Sequence, residues 1–258
     1  MPVLKAGPLA DIAARIFVAH GCGPEEAREV ADRLLEANLK GHDSHGVQLV
    51  PLYVQRMKSG MIKPGRHATV AREAGPILVV DGHHGFGQVI GRETLERAIP
   101  IAKEHGIALV ALRQVHHLGR IGAWAEMCAA ERLASVHFLN VTGARLVAPH
   151  GGIDRRFGTN PVTMGMPGPD GYPIVLDMAT SQIAAGKVAV ADRRGKPVPP
   201  GSLIGDDGEE TTDASRLYRG GNAALMPFGA HKGFGLAFFC ELLAGALSGS
   251  VGNHPQNG

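Results

Sequence analysis

Arg113-Gln114-Val115-His116-His117-Leu118-Gly119-Arg120-Ile121-Gly122-Ala123-Trp124 is the stretch on which the reading of this chain turns. Ahead of it the apolar run Ile107-Ala108-Leu109-Val110-Ala111-Leu112 predicts a buried strand, and after it Ala123 to Leu133 predicts a helix. A strand that ends in paired histidines and glycines before a helix start gathers imidazoles and free backbone N–H groups in a small volume. Imidazole can exchange a proton near neutral pH, and a helix N-terminus favours a phosphate or carboxylate. The same residues also suit a loop whose histidines are merely polar. A second stretch, Gly41-His42-Asp43-Ser44-His45-Gly46, favours the chemical reading.

Working outward, the N-terminal side reads as helical. Leu9, Ile12, Ala13, Ile16 and Phe17 share one helical face, and Gly21 is a natural stop. Pro24 suits a first helical position, with Glu25 and Glu26 in the positive first turn. Ala27, Val30, Ala31, Leu34 and Leu35 repeat the stripe up to Gly41, and Val47 to Lys58 predicts a third helix ending at Ser59-Gly60. Residues 1–65 are therefore expected to form a small all-helical domain, joined by the C-terminal region.

From Ala68 the pattern changes to a mixed α/β domain over 66–258. Thr69 to Arg72 and Ile77 to Val80 are short strands around a Gly75-Pro76 turn. A helix is expected from Gln88 to Lys103, and strands over Ser135 to Val141, Val162 to Met166 and Ile174 to Asp177. Ser181 to Ala191 fits either a strand or a helix. Lys196 to Gly201 and Asp206-Asp207-Gly208 predict a surface excursion. His231-Lys232-Gly233 opens a last helix that is apolar nearly all round and so calls for burial. The preceding residues are not expected to cover all of Phe238, Phe239, Leu242, Leu243 and Leu247, a patch that favours self-association.

Composition narrows the class. Lys+Arg 26 against Asp+Glu 24 gives +2 with no basic block, which points away from nucleic acid and membrane surfaces. Three widely separated cysteines, Cys22, Cys128 and Cys240, suit reduced thiols and a cytoplasmic setting. The first residues lack the apolar core of a signal peptide. Leu236 to Leu247, the longest apolar stretch, is broken by Glu241 and too short to span a bilayer.

Two motifs compete for the site. Gly85-Phe86-Gly87-Gln88-Val89-Ile90-Gly91 resembles a dinucleotide fingerprint, but its last glycine is one residue late and no acidic residue closes a following strand. Close helix–sheet packing explains its glycines as well. His42, His45, His116 and His117 invite a metal reading, yet no carboxylate–histidine helix motif fixes such a geometry. No metal is expected.

Five motifs, in this order, carry a family resemblance: Gly41-His42-Asp43-Ser44-His45-Gly46, His117-Leu118-Gly119, Phe157-Gly158-Thr159-Asn160-Pro161, Leu176-Asp177-Met178-Ala179-Thr180-Ser181 and His231-Lys232-Gly233. The chain resembles the malate/L-lactate dehydrogenase family from about Leu9 onward. That resemblance implies a helical domain beside a mixed-sheet, non-Rossmann domain binding NAD or NADP. It also implies hydride transfer at C2 of a 2-hydroxy acid or 2-oxo acid, and a homodimer. His117 then matches the proton acceptor, titrating in the usual histidine range, and His45 a histidine at the cofactor whose ring Ser44 fixes. Asp177 orients an imidazole, contacts the cofactor, or caps a turn. Gly119, Arg120 and Ile121, the segment Val175, Leu176, Asp177, Met178 and Ala179, and His231 match cofactor contacts. Lys232 reads equally as a solvated helix start.

Two departures from the family stand out. Where many members carry an arginine suited to a bidentate grip on the substrate carboxylate, this chain has Leu49; Arg120 and Arg156 are the replacements the sequence offers. The family's usual length also runs on past residue 258, which keeps a shortened, non-catalytic member as an alternative, and the histidines keep a histidine-ligated metal enzyme as another.

Overall fold

The computed structural model describes residues 4–250 and divides into two compact units. The first comprises the chain up to Leu133 together with Pro167–Pro173; the second comprises Ala134–Met166 and the chain from Ile174. Residue 65, the boundary read from sequence, lies within the first unit.

In the first unit three helices form as the stripes predict: α1 (Ala6–Ala19), α2 (Pro24–Leu39) and α3 (Val50–Lys58), the last led in by a 3-10 turn at Val47–Leu49. Pro24 starts α2, where its missing N–H costs nothing, and Gly21 takes φ +97° in the α1–α2 turn. Their inner faces bury Phe17, Val30, Leu34 and Tyr53, with Phe86 edge-on to Phe17 at 5.8 Å between ring centres. Full burial of each large apolar side chain contributes about 1.5–3 kcal/mol. This cluster is the platform beneath the histidines.

The same unit holds a three-stranded sheet of β1 (Thr69–Ala74), β2 (Ile77–Asp81) and β3 (Leu109–Arg113), ordered β1-β2-β3. β2 pairs antiparallel with β1 and parallel with β3. Helix α4 (Gly87–His105) makes the crossover and covers Leu78 and Val80 through Ala98 and Ile101. The strand read as buried at Ile107 to Leu112 is instead the edge strand β3, with Ile107 62% and Leu109 52% exposed. An apolar run alone does not distinguish a central strand from an edge one. α5 (Gly122–Ala130) closes the unit.

The second unit is built on an antiparallel sheet, β4 (Ser135–Phe138), β5 (Val162–Met166) and β6 (Ile174–Met178), in the order β4-β5-β6. The ambiguous stretch after Ser181 resolves as helix α6 (Ala185–Arg193). Between and after the two predicted surface stretches lies a second small antiparallel sheet of β7 (Leu203–Gly205), β8 (Glu210–Thr211) and β9 (Ala223–Leu225), with the short helix α7 (Ser215–Tyr218). Lys196, Pro197, Pro199, Pro200 and Asp206-Asp207-Gly208 are exposed as expected. Val198 in the first stretch, Leu203 between the two, and Leu217 and Leu225 after them are instead buried with Val188 of α6. Strands of two or three residues leave no readable alternation, which is why sequence reasoning passed over them.

Helix α8 (His231–Cys240) continues into a π-helical turn at Glu241–Ala246. Buried Asn160 clamps it, donating from Nδ2 to the Ala237 carbonyl at 3.2 Å and to Glu241 at 3.1 Å. Phe238, Phe239, Leu242, Leu243 and Leu247 are exposed, the patch expected to stay uncovered, because the described residues pack against only the Ala237–Cys240 side. Among the described residues no helix is long and apolar enough to cross a membrane.

Candidate active site

Glycines place the histidine loop. After β3 the chain turns through Gln114, at φ +50°, and its backbone docks on the Gly82–Gly85 turn: His84 N–H bonds Gln114 O at 2.6 Å and His116 N–H bonds Gly85 O at 3.3 Å. A Cβ on Gly87 would overlap the carbonyl groups of both His116 and His117. A Cβ on Gly91 would fall 2.8 Å from the Trp124 ring. The glycines that mimic a dinucleotide fingerprint therefore serve close packing, and they let the loop lie on the first turn of α4. Trp124 Nε1 holds the far end by donating to Leu118 O at 3.1 Å.

A second clamp sets the Ser44-His45 corner, which forms a 3-10 turn at Asp43–His45. Asn38, near the end of α2, donates from Nδ2 to Asp43 at 2.6 Å and accepts the Val47 N–H at 2.8 Å. Its side chain occupies the space where a Cβ on Gly46 would stand. Ser44 Oγ lies 3.0 Å from His45 Nδ1, the contact anticipated for it. The His45 ring stacks on His117, 5.4 Å between centres and 15° apart in plane.

Below them, Tyr53 and Arg56 lie three residues apart on α3 and so share a face. Tyr53, fully buried, lies 2.6 Å from His117 Nδ1 through its hydroxyl, and Gln88 Nε2 donates to the same oxygen at 2.9 Å. With the amide donating, the phenol proton goes to Nδ1, so the neutral His117 ring carries its own proton on Nε2. Arg56 Nη1 donates to His116 Nε2 at 3.0 Å. Burial, then His45, His116 and Arg56, pull the His117 pKa down to about 3; burial, Arg56 and His84 pull His116 to about 4. The expectation of an ordinary histidine range is corrected, because a charged ring here would lie desolvated beside a guanidinium.

Arg120 is differently placed. Its guanidinium is 6% exposed and pairs with Glu36 at 3.2 Å and Glu126 at 2.7 Å, while Lys40 closes the network on Glu126. A buried arginine so compensated is a structural cation, not a spare grip for a carboxylate. Arg156, the other candidate, is 58% exposed and bonded to Asp154. Among the described residues Arg56 forms no ion pair with a carboxylate. Gly119, at φ +73°, lets the backbone pass Gln88, whose Nε2 would sit 3.3 Å from an added Cβ. Ile121 leads into the buried start of α5.

In the second unit Val175, Leu176, Asp177 and Met178 form the edge strand β6, with Ala179 just beyond it. Asp177 accepts from Thr163 Oγ1 at 2.9 Å, in register with His137 across the sheet. Burial lowers the His137 pKa to about 4 against the pull of Asp177, so the imidazole near Asp177 within its own unit is His137. His231 opens α8 with its ring 6.0 Å from His150. The residue before it, Ala230, takes φ +55°, a conformation costly for any residue with a Cβ. Lys232 is exposed. No group of three or more His, Cys, Asp or Glu among the described residues is arranged to hold a metal.

Residues 4–256 match the malate/L-lactate dehydrogenase family. The chain belongs to that family. It is 46% identical to hydroxycarboxylate dehydrogenase B of Escherichia coli K12, over 93% of this chain and 67% of that protein. An L-lactate dehydrogenase of Cupriavidus necator is 41% identical, over 95% of this chain and 71% of the relative. A solved Escherichia coli structure of malate/lactate dehydrogenase type superposes with a TM-score of 0.96 at 44% identity, covering 99% of this chain and 72% of that one. The protein is thus an oxidoreductase of the family's mixed α/β fold, acting on a hydroxy acid.

Sequence reasoning missed Asn38, Tyr53, Arg56 and the role of Gln88. Tyr53 and Arg56 carried a signal, the three-residue spacing on a predicted helix, but nothing in sequence shows that this face meets the histidine loop.

Proposed function

We propose that the protein is an NAD- or NADP-dependent dehydrogenase of a 2-hydroxy acid, with His117 as the acid–base residue. The observation that carries this is the His117 environment: a buried, neutral imidazole, braced at Nδ1 by Tyr53, stacked on His45, and leaving Nε2 for the reacting hydroxyl. When bound, the nicotinamide takes or gives the hydride at C2. In the tautomer that carries its proton on Nδ1, His117 accepts the hydroxyl proton at Nε2 as the alcohol becomes a carbonyl, and returns it in reduction. His45 keeps water from one face of the ring and contacts the cofactor.

The residues fit a dinucleotide in two respects. Gly119 brings bare backbone beside Gln88, next to the histidines. β6, as an edge strand, turns one side of its backbone away from the sheet, offering groups that pair with amide and hydroxyl functions. Within the second unit, Val175 to Ala179 and His231 are the cofactor contacts that the family resemblance implies, and Asp177 holds its strand through Thr163. Arg56 replaces the arginine lost at Leu49 as the cation for the substrate carboxylate: it is half-buried, one helical turn from Tyr53 and free of carboxylate partners among the described residues. The exposed apolar row Val136, Met164 and Leu176 on one sheet face supports a homodimer. Three buried cysteines outside any disulfide suit a cytoplasmic setting.

The test is absorbance at 340 nm with NADH and NADPH against a panel of 2-oxo acids, on the parent and on His117→Ala. A fall in kcat of about 10² or more with cofactor binding retained is expected for a lost acid–base group. Near-parental turnover in the variant would remove His117 from this role.

A further inference from the structure

Gln88 is 1% exposed on the first turn of α4, and its Oε1 is buried without a hydrogen-bond partner while its Nε2 donates to Tyr53. An amide with one half satisfied and the other orphaned is not held to a single orientation. Turning it by 180° exchanges Nε2 for Oε1 at the tyrosine without displacing the side chain. The two orientations have opposite consequences, because the phenol has a single proton.

With Nε2 toward Tyr53, the phenol proton must point at His117 Nδ1, and the ring carries its own proton on Nε2. That ring cannot take a proton from a substrate at Nε2. With Oε1 toward Tyr53, the phenol donates to the amide oxygen and its lone pair accepts from Nδ1–H. Nε2 then has a free lone pair and is the base. The protonated ring has N–H groups at both nitrogens, so it also requires the second orientation. We propose that Gln88 is a positioning residue that selects, through Tyr53, which nitrogen of His117 is protonated, and so when the ring can act as base. The inference rests on the reading of His117 as the acid–base residue. The groups facing His117 are His45, stacked on it, Tyr53 and Arg56 from α3, and His116 beside it in the loop; none of these replaces Gln88 as partner of the phenol.

The experiment compares the parent with Gln88→Glu, Gln88→Met and Tyr53→Phe in the full chain. Long-range ¹H–¹⁵N correlation spectra of the histidine rings, assigned with His117→Ala, report the tautomer without reference to activity. The parent should show Nδ1 as the acceptor nitrogen in the absence of substrate. In Gln88→Glu the carboxylate only accepts, so the tautomer should invert and the His117 pKa read from the same spectra should rise by about one pH unit or more. Gln88→Met should leave a mixture of tautomers and lower kcat by about tenfold with KM little changed, less than the loss on removing His117 itself. Tyr53→Phe, which keeps the buried ring, should give the same mixture even where a Gln88 variant folds poorly. An unchanged tautomer and pKa in all three variants would overturn the proposal and leave His117 as base intact. Full activity in His117→Ala would instead remove the catalytic reading, whatever the spectra show of the relay.

Discussion

Lowering the pH from 7 to 5 should weaken the first unit by about 4 kcal/mol through His116 and His117 alone. Both rings are held neutral, at pKa values of about 4 and about 3 against 6.5 for a free ring. Their stabilising contribution is therefore complete above the unfolded value and is lost as the pH falls toward the folded values. Through most of that window the unfolded chain binds a proton at each position and the folded chain does not. One and a half pH units below 6.5, at about 1.4 kcal/mol per unit, gives about 2 kcal/mol per ring. His67 acts in the opposite sense, since Glu93 raises its pKa, but its side chain is 69% exposed and the pair is screened.

Trp124, the single tryptophan, is buried and bonded to Leu118 beside the histidine loop, so its fluorescence reports this unit. Urea unfolding followed at that signal should give midpoints that drop steeply from pH 7 to 5. His117→Gln should flatten the dependence by about 1.4 kcal/mol per pH unit below pH 6. Midpoints independent of pH in the parent, or an unaltered slope in the variant, would refute the claim that folding holds these rings neutral.

Arg56→Lys should raise KM for the acid substrate by about tenfold or more with a smaller change in kcat, because an ammonium cannot reproduce a bidentate grip; equal KM values would shift the carboxylate site elsewhere. Gly87→Ala should cost about 1–3 kcal/mol in urea unfolding, since the new methyl meets backbone on the histidine loop and nothing flexible can yield. The same change should reduce kcat through displacement of His117, and a stable, fully active variant would show that the loop is not held as described.

Much of the frame was legible because its signals are local. The α1 and α2 stripes, the Gly75-Pro76 turn and the β5 and β6 runs each declare themselves within a few residues. His117 and the Ser44-His45 pair were legible because imidazoles beside glycines are an unusual chemical choice. Whether Ile107 to Leu112 lies at the centre or the edge of its sheet depends on strand order, which no local pattern encodes. Gln88 illustrates the limit best. It was in view inside a glycine motif, and its meaning came only when Tyr53, thirty-five residues earlier, and His117, twenty-nine residues later, met it in one place. Arg120 and Arg56 look alike in sequence, and only their carboxylate partners, or lack of them among the described residues, separate them.

The lone charge of Arg56 links binding to chemistry. In the free protein it depresses His117 along with burial and the neighbouring imidazoles. A substrate carboxylate paired with Arg56 would cancel that contribution and add an attraction for a charged ring, so the His117 pKa should rise when substrate binds. Oxidation, as kcat/KM, should then be level from pH 6 to 8 because the ring of the free protein is already neutral; reduction needs the charged ring and its kcat/KM should fall about tenfold per pH unit there. The kcat profiles, which report the complex, should show the same limbs displaced to higher pH. In Arg56→Ala the displacement should vanish while the limbs remain. Coincident kcat and kcat/KM profiles in the parent, with hydride transfer shown to limit the rate, would mean that the carboxylate does not sit against Arg56 and that the base is tuned by the protein alone.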